Sequence, residues 1–271
     1  MRLTLAITTY ERPSALAAVM HSVAAQVEPP DEVIIADDGS GASTRAVVDT
    51  WRARLRVPLY HAWQEKRGFR LTRARNMAIA RARGEFIVFV DGDMLLHPEF
   101  IADHRRAART GFFTQGVRIL LDARRTASVL AEPKQPIGPW SDGLAGLRRL
   151  YAIHAPAAAD RVRLIANPLI AIKGCNQGFW RSDLIAANGF DEAIEGWGPE
   201  DKELCARLAH AGVRRQTLLF GGIACHLHHA AAPRERRTAN EAILRRTLAA
   251  RSTRCERGLQ AHLQRSANEP A

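Results

Sequence analysis

A chain of 271 residues is long enough to bury one α/β core, alone or with a small appendage. Its 46% hydrophobic and 25% charged residues are those of a soluble globular protein, and no apolar run approaches the roughly 18 residues of a membrane span. The formal net charge of +11, chiefly from arginine, suits nucleic acid, an anionic membrane leaflet or a phosphorylated substrate, or reflects only an Arg- and Ala-rich genome composition. The apolar start from Met1 to Ile7 is too short for a signal peptide. Cys175, Cys205, Cys225 and Cys255 form no C-x-x-C, which argues against zinc and fits a reducing cytoplasm.

In chain order, Leu3 to Thr8 reads as a strand, and Pro13 opens a helix through Leu16, Val19, Met20 and Val23. Glu32 to Ala36 is a second buried strand, ending in Asp37-Asp38-Gly39-Ser40. A helix over 44–55 and a short strand over 59–63 follow. Thr72 is the expected N-cap of a helix to Arg83, closed by Gly84. Phe86 to Val90 is then a strand apolar on both faces, stopping at Asp91-Gly92-Asp93. Strand and helix alternate with short connections, so the expected fold is a mostly parallel α/β sheet flanked by helices.

In extended backbone, Asp91 and Asp93 would project to the same side beyond the strand end, where open α/β sheets bind ligands. Two carboxylates suit Mg²⁺ or Mn²⁺ holding a diphosphate, although Asp-Gly taken alone reads first as a turn. The chain lacks the Gly-rich P-loop and dinucleotide fingerprints.

Pro98 to Arg109 is an expected helix and Phe112 to Leu121 an expected strand. From Ala131 to Ala159 the prolines (Pro133, Pro136, Pro139) and glycines predict a loop-rich flap or acceptor surface. A short helix over 182–187 precedes Gly196-Trp197-Gly198-Pro199-Glu200-Asp201, which opens a helix to Ala211. Acids in a first helical turn need no function, and Trp197 is either a ligand platform or a core residue. Leu218 to Ala224 is the last expected strand, followed by His226, His228 and His229, a metal-ligand concentration or a solvent-exposed cluster. From Pro233 the chain becomes a basic helical tail, with nine arginines and four glutamates from Arg234 on. Its apolar stripe is expected to pack back on the domain, the alternative being an anionic membrane surface, and its removal is expected to leave catalysis on a soluble acceptor largely unchanged.

As a set these motifs resemble the inverting family 2 glycosyltransferases of GT-A fold, with a galactosyltransferase-type C-terminal region shared with β-1,4-galactosyltransferases and bacterial chondroitin polymerases. The resemblance spans about residues 2–232 and leaves the tail outside it. It implies a domain over 1–232, with a nucleotide-binding half over 1–97, an acceptor and catalytic half over 98–232, and a tail over 233–271. It implies that Thr8, Tyr10 and Asp38 surround the uracil, that Arg70 and Asn76 complete the nucleotide pocket, and that Asp91 faces the ribose. By the same resemblance Asp93 binds the metal with a histidine, from the pair His226 and His229, of which His229 is favoured. Asp201 corresponds to the catalytic base, with Glu200 and Trp197 holding the acceptor.

The implied activity moves a hexose or N-acetylhexosamine from a UDP-sugar to a saccharide or glycolipid hydroxyl, with Mn²⁺ or Mg²⁺, in bacterial surface polysaccharide or lipopolysaccharide synthesis. The expected location is cytoplasmic, with the tail able to touch the inner membrane face. The alternative is an inactive nucleotide-binding or basic nucleic-acid-binding protein on the same scaffold. With 6% aromatic residues and no nucleic-acid motif, a nucleic-acid partner is not expected.

Overall fold

The computed structural model describes residues 1–135, 137–144, 146–155, 169–230 and 234–268. Strands β1 (Leu3–Thr9), β2 (Glu32–Asp37), β3 (Leu59–Trp63) and β4 (Phe86–Asp91) form the parallel half of the main sheet. β1 and β2 are buried throughout, and β4 up to its terminal Asp91; the consecutive apolar residues 5–7, 33–36 and 86–90 leave neither face of these strands for water. The other half contains β6 (Phe112–Gln115), β8 (Asn176–Trp180) and β9 (Arg214–Thr217). β8 runs antiparallel to β4 and β6, giving the order β3-β2-β1-β4-β8-β6-β9. A small second sheet joins β5 (Met94–Leu96), β10 (Ala224–His226) and β7 (Arg118–Leu120), with β10 central.

Alternate side chains of the central strands feed two apolar layers. Leu3, Leu5 and Ile7 pack with α1 (Pro13–Ala24), α2 (Ala42–Arg54) and α4 (Phe100–Ala107). Ala6, Ile34, Ile87 and Phe89 pack with α3 (Leu71–Arg81), α6 (Arg181–Ala186) and α7 (Glu200–His210). The register pairs Thr8 with both Ala36 and Asp91, and Thr9 with Asp37, so three strands stop at one carboxyl edge. That edge carries the site.

Several local expectations fail where tertiary contacts intervene. α3 begins at Leu71, so Thr72 is not its cap; its hydroxyl is buried and donates to the Ile194 carbonyl. The strand expected over 112–121 breaks at Gly116 into β6 and β7, which belong to different sheets. A Cβ at Gly116 would lie 2.2 Å from the Asn176 side chain, so only glycine lets these segments cross. Leu218 to Ile223 is not a strand. Phe220 and Gly222 have φ of 59° and 55°, which bends the chain before β10 begins at Ala224. A helix absent from the sequence reading, α5 (Ala123–Ala131), is capped by Asp122, which accepts from the Arg125 N–H at 2.7 Å. The flap expected over 131–159 lies partly outside the described residues, Pro136 included; its described part holds a 3-10 helix over Gly146–Ala152.

The boundary expected at 232–233 also lies outside the described residues. The segment after it, α8 (Arg237–Ala249) and α9 (Gln260–Asn268), is built into the second layer. Leu259 is fully buried there, its N–H donating to the Asn188 carbonyl at 2.8 Å. Thr247 bonds Glu203 at 2.8 Å and His262 meets Glu192 at 2.6 Å. The expectation of a removable tail is therefore revised: the stripe covers core surface that would otherwise face water. Leu259→Ala should cost about 2–5 kcal/mol in a denaturant titration, the range for emptying a fully buried leucine site. A loss under about 0.5 kcal/mol, the size of an ordinary surface substitution, would restore the separable tail. Among the described residues, no helix is long and apolar enough to cross a membrane.

Candidate active site

The centre lies at the end of β4. Gly92 passes so close to β1 that a Cβ there would sit 2.9 Å from the Thr8 carbonyl, and its N–H donates to that oxygen at 2.6 Å. The extended strand stops at Asp91, one residue before Gly92. The two carboxylates take different partners. Asp91 accepts from Thr8 Oγ1 at 2.8 Å and pairs with Arg75 at 3.2 Å. Asp93 meets Arg12 at 2.5 Å, His229 at 3.1 Å and His226 at 3.6 Å.

Asp93, His226 and His229 each offer a ligand atom within 4.8 Å of the others. β10 presents His226, pairing it with Met94, and the Leu227 N–H donates to the Asp93 carbonyl at 2.9 Å. His229 Nδ1 sits 2.6 Å from the Ala230 carbonyl, which fixes its proton there and leaves Nε2 toward Asp93. His228 is exposed; its backbone N–H donates to Thr126 Oγ1, and its ring is outside the cluster. Asp93 Oδ1 is buried without a hydrogen-bond partner, an orphaned acceptor 3.6 Å from His226 Nε2. These donors fit a divalent cation, and two imidazoles favour Mn²⁺ over Mg²⁺. Burial pushes the Asp93 carboxyl up, but the His229 hydrogen bond and the charges of His226 and Arg12 outweigh it and hold it below the ordinary range. The bond to Asp93 raises His229, whereas burial lowers His226 toward the neutral, ligating form.

Asp38 is almost fully buried and takes three donors from its own neighbourhood. It accepts from Gln64 at 2.6 Å and from the Arg70 backbone N–H at 2.9 Å, with Lys66 at 3.3 Å. The Lys66 ammonium also lies 3.4 Å from the ring centre of exposed Tyr10. Beside them a groove of about 450 Å³ is lined by Trp63, Gln64, Arg67, Arg70 and Met77, a volume of the size ligand pockets take. Arg70 thus contributes its backbone to Asp38, while its guanidinium turns to the Glu65 carbonyl.

Asn76 is a correction. It is fully buried, and its amide is consumed by both backbone groups of Phe190 and by Glu192, so it ties α3 to the 188–192 turn and contacts no ligand space. The neighbouring Arg75, from the same Arg75-Asn76 motif, is the one that meets the carboxylates. Its guanidinium is 1% exposed and bridges Asp91 at 3.2 Å and Glu200 at 3.3 Å. A sequence signal existed: Arg75 shares a helical face with Thr72 and Ile79, and an arginine on a buried stripe needs carboxylate partners.

Glu200 and Asp201 open α7. Gly196, at φ 74°, donates to the Phe69 carbonyl at 2.8 Å and so ties this loop to the 68–70 segment. Asp201 accepts from the Gly174 N–H and the Lys202 N–H, both at 2.7 Å. Burial, then the charge of Asp201, pushes Glu200 up to about 8, against the opposing pull of Arg75. Burial raises Asp201 too, opposed by the charge of Arg75 and by the two backbone donors. Trp197 is 37% exposed, not core, with the guanidinium carbons of Arg234 and Arg237 at 4.7 and 5.8 Å from its ring. All four cysteines are buried and unpaired, and burial pushes the Cys175 thiol up to about 12, so it is no nucleophile.

The Glu200 shift has a measurable sign. Burial and the charge of Asp201 push the folded carboxyl up to about 8, above the unfolded chain's ordinary Glu value of about 4.3, so stability falls as pH rises through that window. Glu200→Gln removes this titration. In thermal melts, the Tm gap between mutant and wild type should move in the mutant's favour from about pH 4 to pH 8. A pH-independent gap would show that the pairing with Arg75 keeps Glu200 ionised.

Two sequence matches and a set of structural neighbours accord with this geometry. Residues 4–126 match the family described as Glycosyl transferase family 2, and residues 164–230 the N-terminal domain of galactosyltransferase. Validoxylamine A glucosyltransferase of Streptomyces hygroscopicus subsp. limoneus is 27% identical over 227 residues, covering 78% of this chain and 48% of its own length. Chondroitin synthase of Escherichia coli is 27% identical over 226 residues, covering 78% of this chain and 32% of its own. The chain thus spans about half or less of the length of these relatives. S. aureus TarS 1–349 in complex with UDP superposes with a TM-score of 0.64 at 17% identity, covering 99% of this chain and 71% of that one. The fold is that of the GT-A glycosyltransferases. By sequence, residues 4–126 resemble glycosyl transferase family 2, and the galactosyltransferase-type segment follows over 164–230.

Proposed function

We propose that this protein transfers a hexose or N-acetylhexosamine from a UDP-sugar to a saccharide hydroxyl with inversion, using a divalent cation. The observation that carries this reading is the Asp93, His226 and His229 donor set at the end of β4, one glycine from the Asp91–Arg75–Glu200 bridge that leads to Asp201. A cation held by those three residues would neutralise the charge on the leaving diphosphate. Tyr10 and Asp38 hold the base, and Thr8 with Arg75 orients Asp91 toward the ribose. Arg75 also sets Glu200 beside the acceptor, which lies against Trp197. Asp201 takes the proton of the acceptor hydroxyl as its oxygen bonds the anomeric carbon. The bond from that carbon to the diphosphate breaks on the opposite face, so one displacement inverts the centre and needs no covalent nucleophile.

The UDP donor is supported by the UDP and UDP-GlcNAc complexes of TarS among the structural neighbours, and the cation by a mannosyltransferase of the same fold with GDP-Man and Mn²⁺. A polysaccharide or glycolipid acceptor follows the chondroitin and hyaluronan synthases among the relatives. Calorimetry with UDP and GDP, each with and without Mn²⁺, followed by a panel of UDP-sugars against saccharide acceptors, tests the reading. Metal-dependent UDP binding with turnover of one sugar is the expected result. Preference for GDP would overturn the donor, and tight UDP binding indifferent to Mn²⁺ would overturn the metal site.

A further inference from the structure

The segment after residue 230 lies outside both family matches, yet it reaches the back of the loop that carries Trp197, Glu200 and Asp201. The contact is made by Asn240 in the first turn of α8, 1% exposed. Its Nδ2 donates to the Glu195 carbonyl at 2.8 Å and to the Trp197 carbonyl at 3.1 Å, bracketing Gly196. Both acceptors are carbonyls, so a flipped amide would set oxygen against oxygen, and the assignment of Nδ2 is unambiguous. Asn240 Oδ1 has no partner among the described residues, so only these two bonds orient the amide. Gly198 closes the fit, because a Cβ there would lie 2.5 Å from Asn240 Nδ2. Arg236 completes the clamp, packing 3.3 Å from where a Gly196 Cβ would be and pairing with Glu195 at 3.9 Å.

We infer that Asn240 is a positioning residue for acceptor transfer, holding the 195–199 loop so that Trp197 and the Glu200–Asp201 pair face the acceptor together. This rests on the reading of that loop as the acceptor and catalytic loop. Asn240 touches neither donor nor acceptor. It acts because a loop containing Gly196 at φ 74° and Gly198 has backbone freedom that two hydrogen bonds from a buried amide remove. The rest of α8 is tied differently: Thr247 bonds Glu203, which pairs with buried Arg207 one turn along α7 and away from the site.

The test compares Asn240→Asp, Asn240→Ala and Thr247→Val in the full chain. Asp keeps the shape but turns an oxygen on both carbonyls, whereas Ala only deletes the donors and serves if the Asp variant does not fold. Hydrogen exchange of the 195–201 amides is read first, then UDP and Mn²⁺ affinity, then transfer kinetics. Both Asn240 variants should speed exchange in 195–201, leave UDP affinity within about twofold and lower acceptor kcat/KM by roughly ten- to a hundredfold. Thr247→Val should lower Tm while leaving loop exchange and acceptor kinetics as in wild type. Unchanged exchange in 195–201, or identical kinetic losses in the Asn240 and Thr247 variants, overturns the inference. If exchange rises but the wild type transfers to no acceptor, the functional reading fails while the clamp stands.

Discussion

Asp201→Asn should lose transfer by about 10²–10⁴-fold, the usual worth of a general base, with UDP binding retained. Both Asp201 oxygens accept backbone N–H groups, from Gly174 and Lys202. An asparagine satisfies one of these and turns its own NH₂ on the other, so a modest fall in Tm accompanies the change. The stability term is separable, because it leaves Asp38 and Tyr10, the proposed donor site, untouched. Steady-state kinetics at saturating donor, with UDP affinity measured alongside, therefore isolate the chemistry. Because burial raises the Asp201 carboxyl, the acid limb of wild-type kcat/KM should lie above the ordinary aspartate range. Near-normal kcat in Asp201→Asn would move the base elsewhere and leave the fold assignment standing.

Asp93→Ala should abolish saturable Mn²⁺ binding. Losing an outer-shell partner of a metal ligand typically costs about 10–100-fold in affinity, so losing the carboxylate itself costs at least the upper end of that range. Asp93 is also the common counter-charge of Arg12, His226 and His229, and its removal leaves three basic groups facing one another. These residues lie beyond the strand end, so the sheet should survive, which a melt would show. Calorimetry with Mn²⁺ alone, then with UDP, checks the claim without needing turnover. Wild-type Mn²⁺ affinity in the variant would place the cation elsewhere. His229→Ala should weaken binding less, because Asp93 and His226 remain.

What the sequence determined by itself is whatever rests on local periodicity and on short motifs. The runs at β1, β2 and β4 are buried on both faces because no strand with water on one side would be apolar at successive positions. Their acidic ends share an edge because parallel strands with short crossovers align their carboxyl termini. Spacing alone left His226, His228 and His229 level, until the turn after β10 brought Nε2 of His226 and His229 to Asp93 and left His228 exposed. The tertiary structure also decided every pairing between distant parts of the chain. Arg75 rather than Asn76 faces the site because carboxylates from β4 and α7 converge on its side of α3, while the 188–192 turn takes up the asparagine. Asp91 and Asp93 take different partners, Thr8 and Arg75 for one and Arg12, His226 and His229 for the other, which no i, i+2 rule contains. The basic tail read as an appendage because its stripe is loose, yet Leu259 and Asn240 are among the most buried residues of their kind. An apolar stripe states that a face must be covered. Only the folded chain states what covers it, because burial energy is non-directional while hydrogen-bond and ion-pair geometry is not.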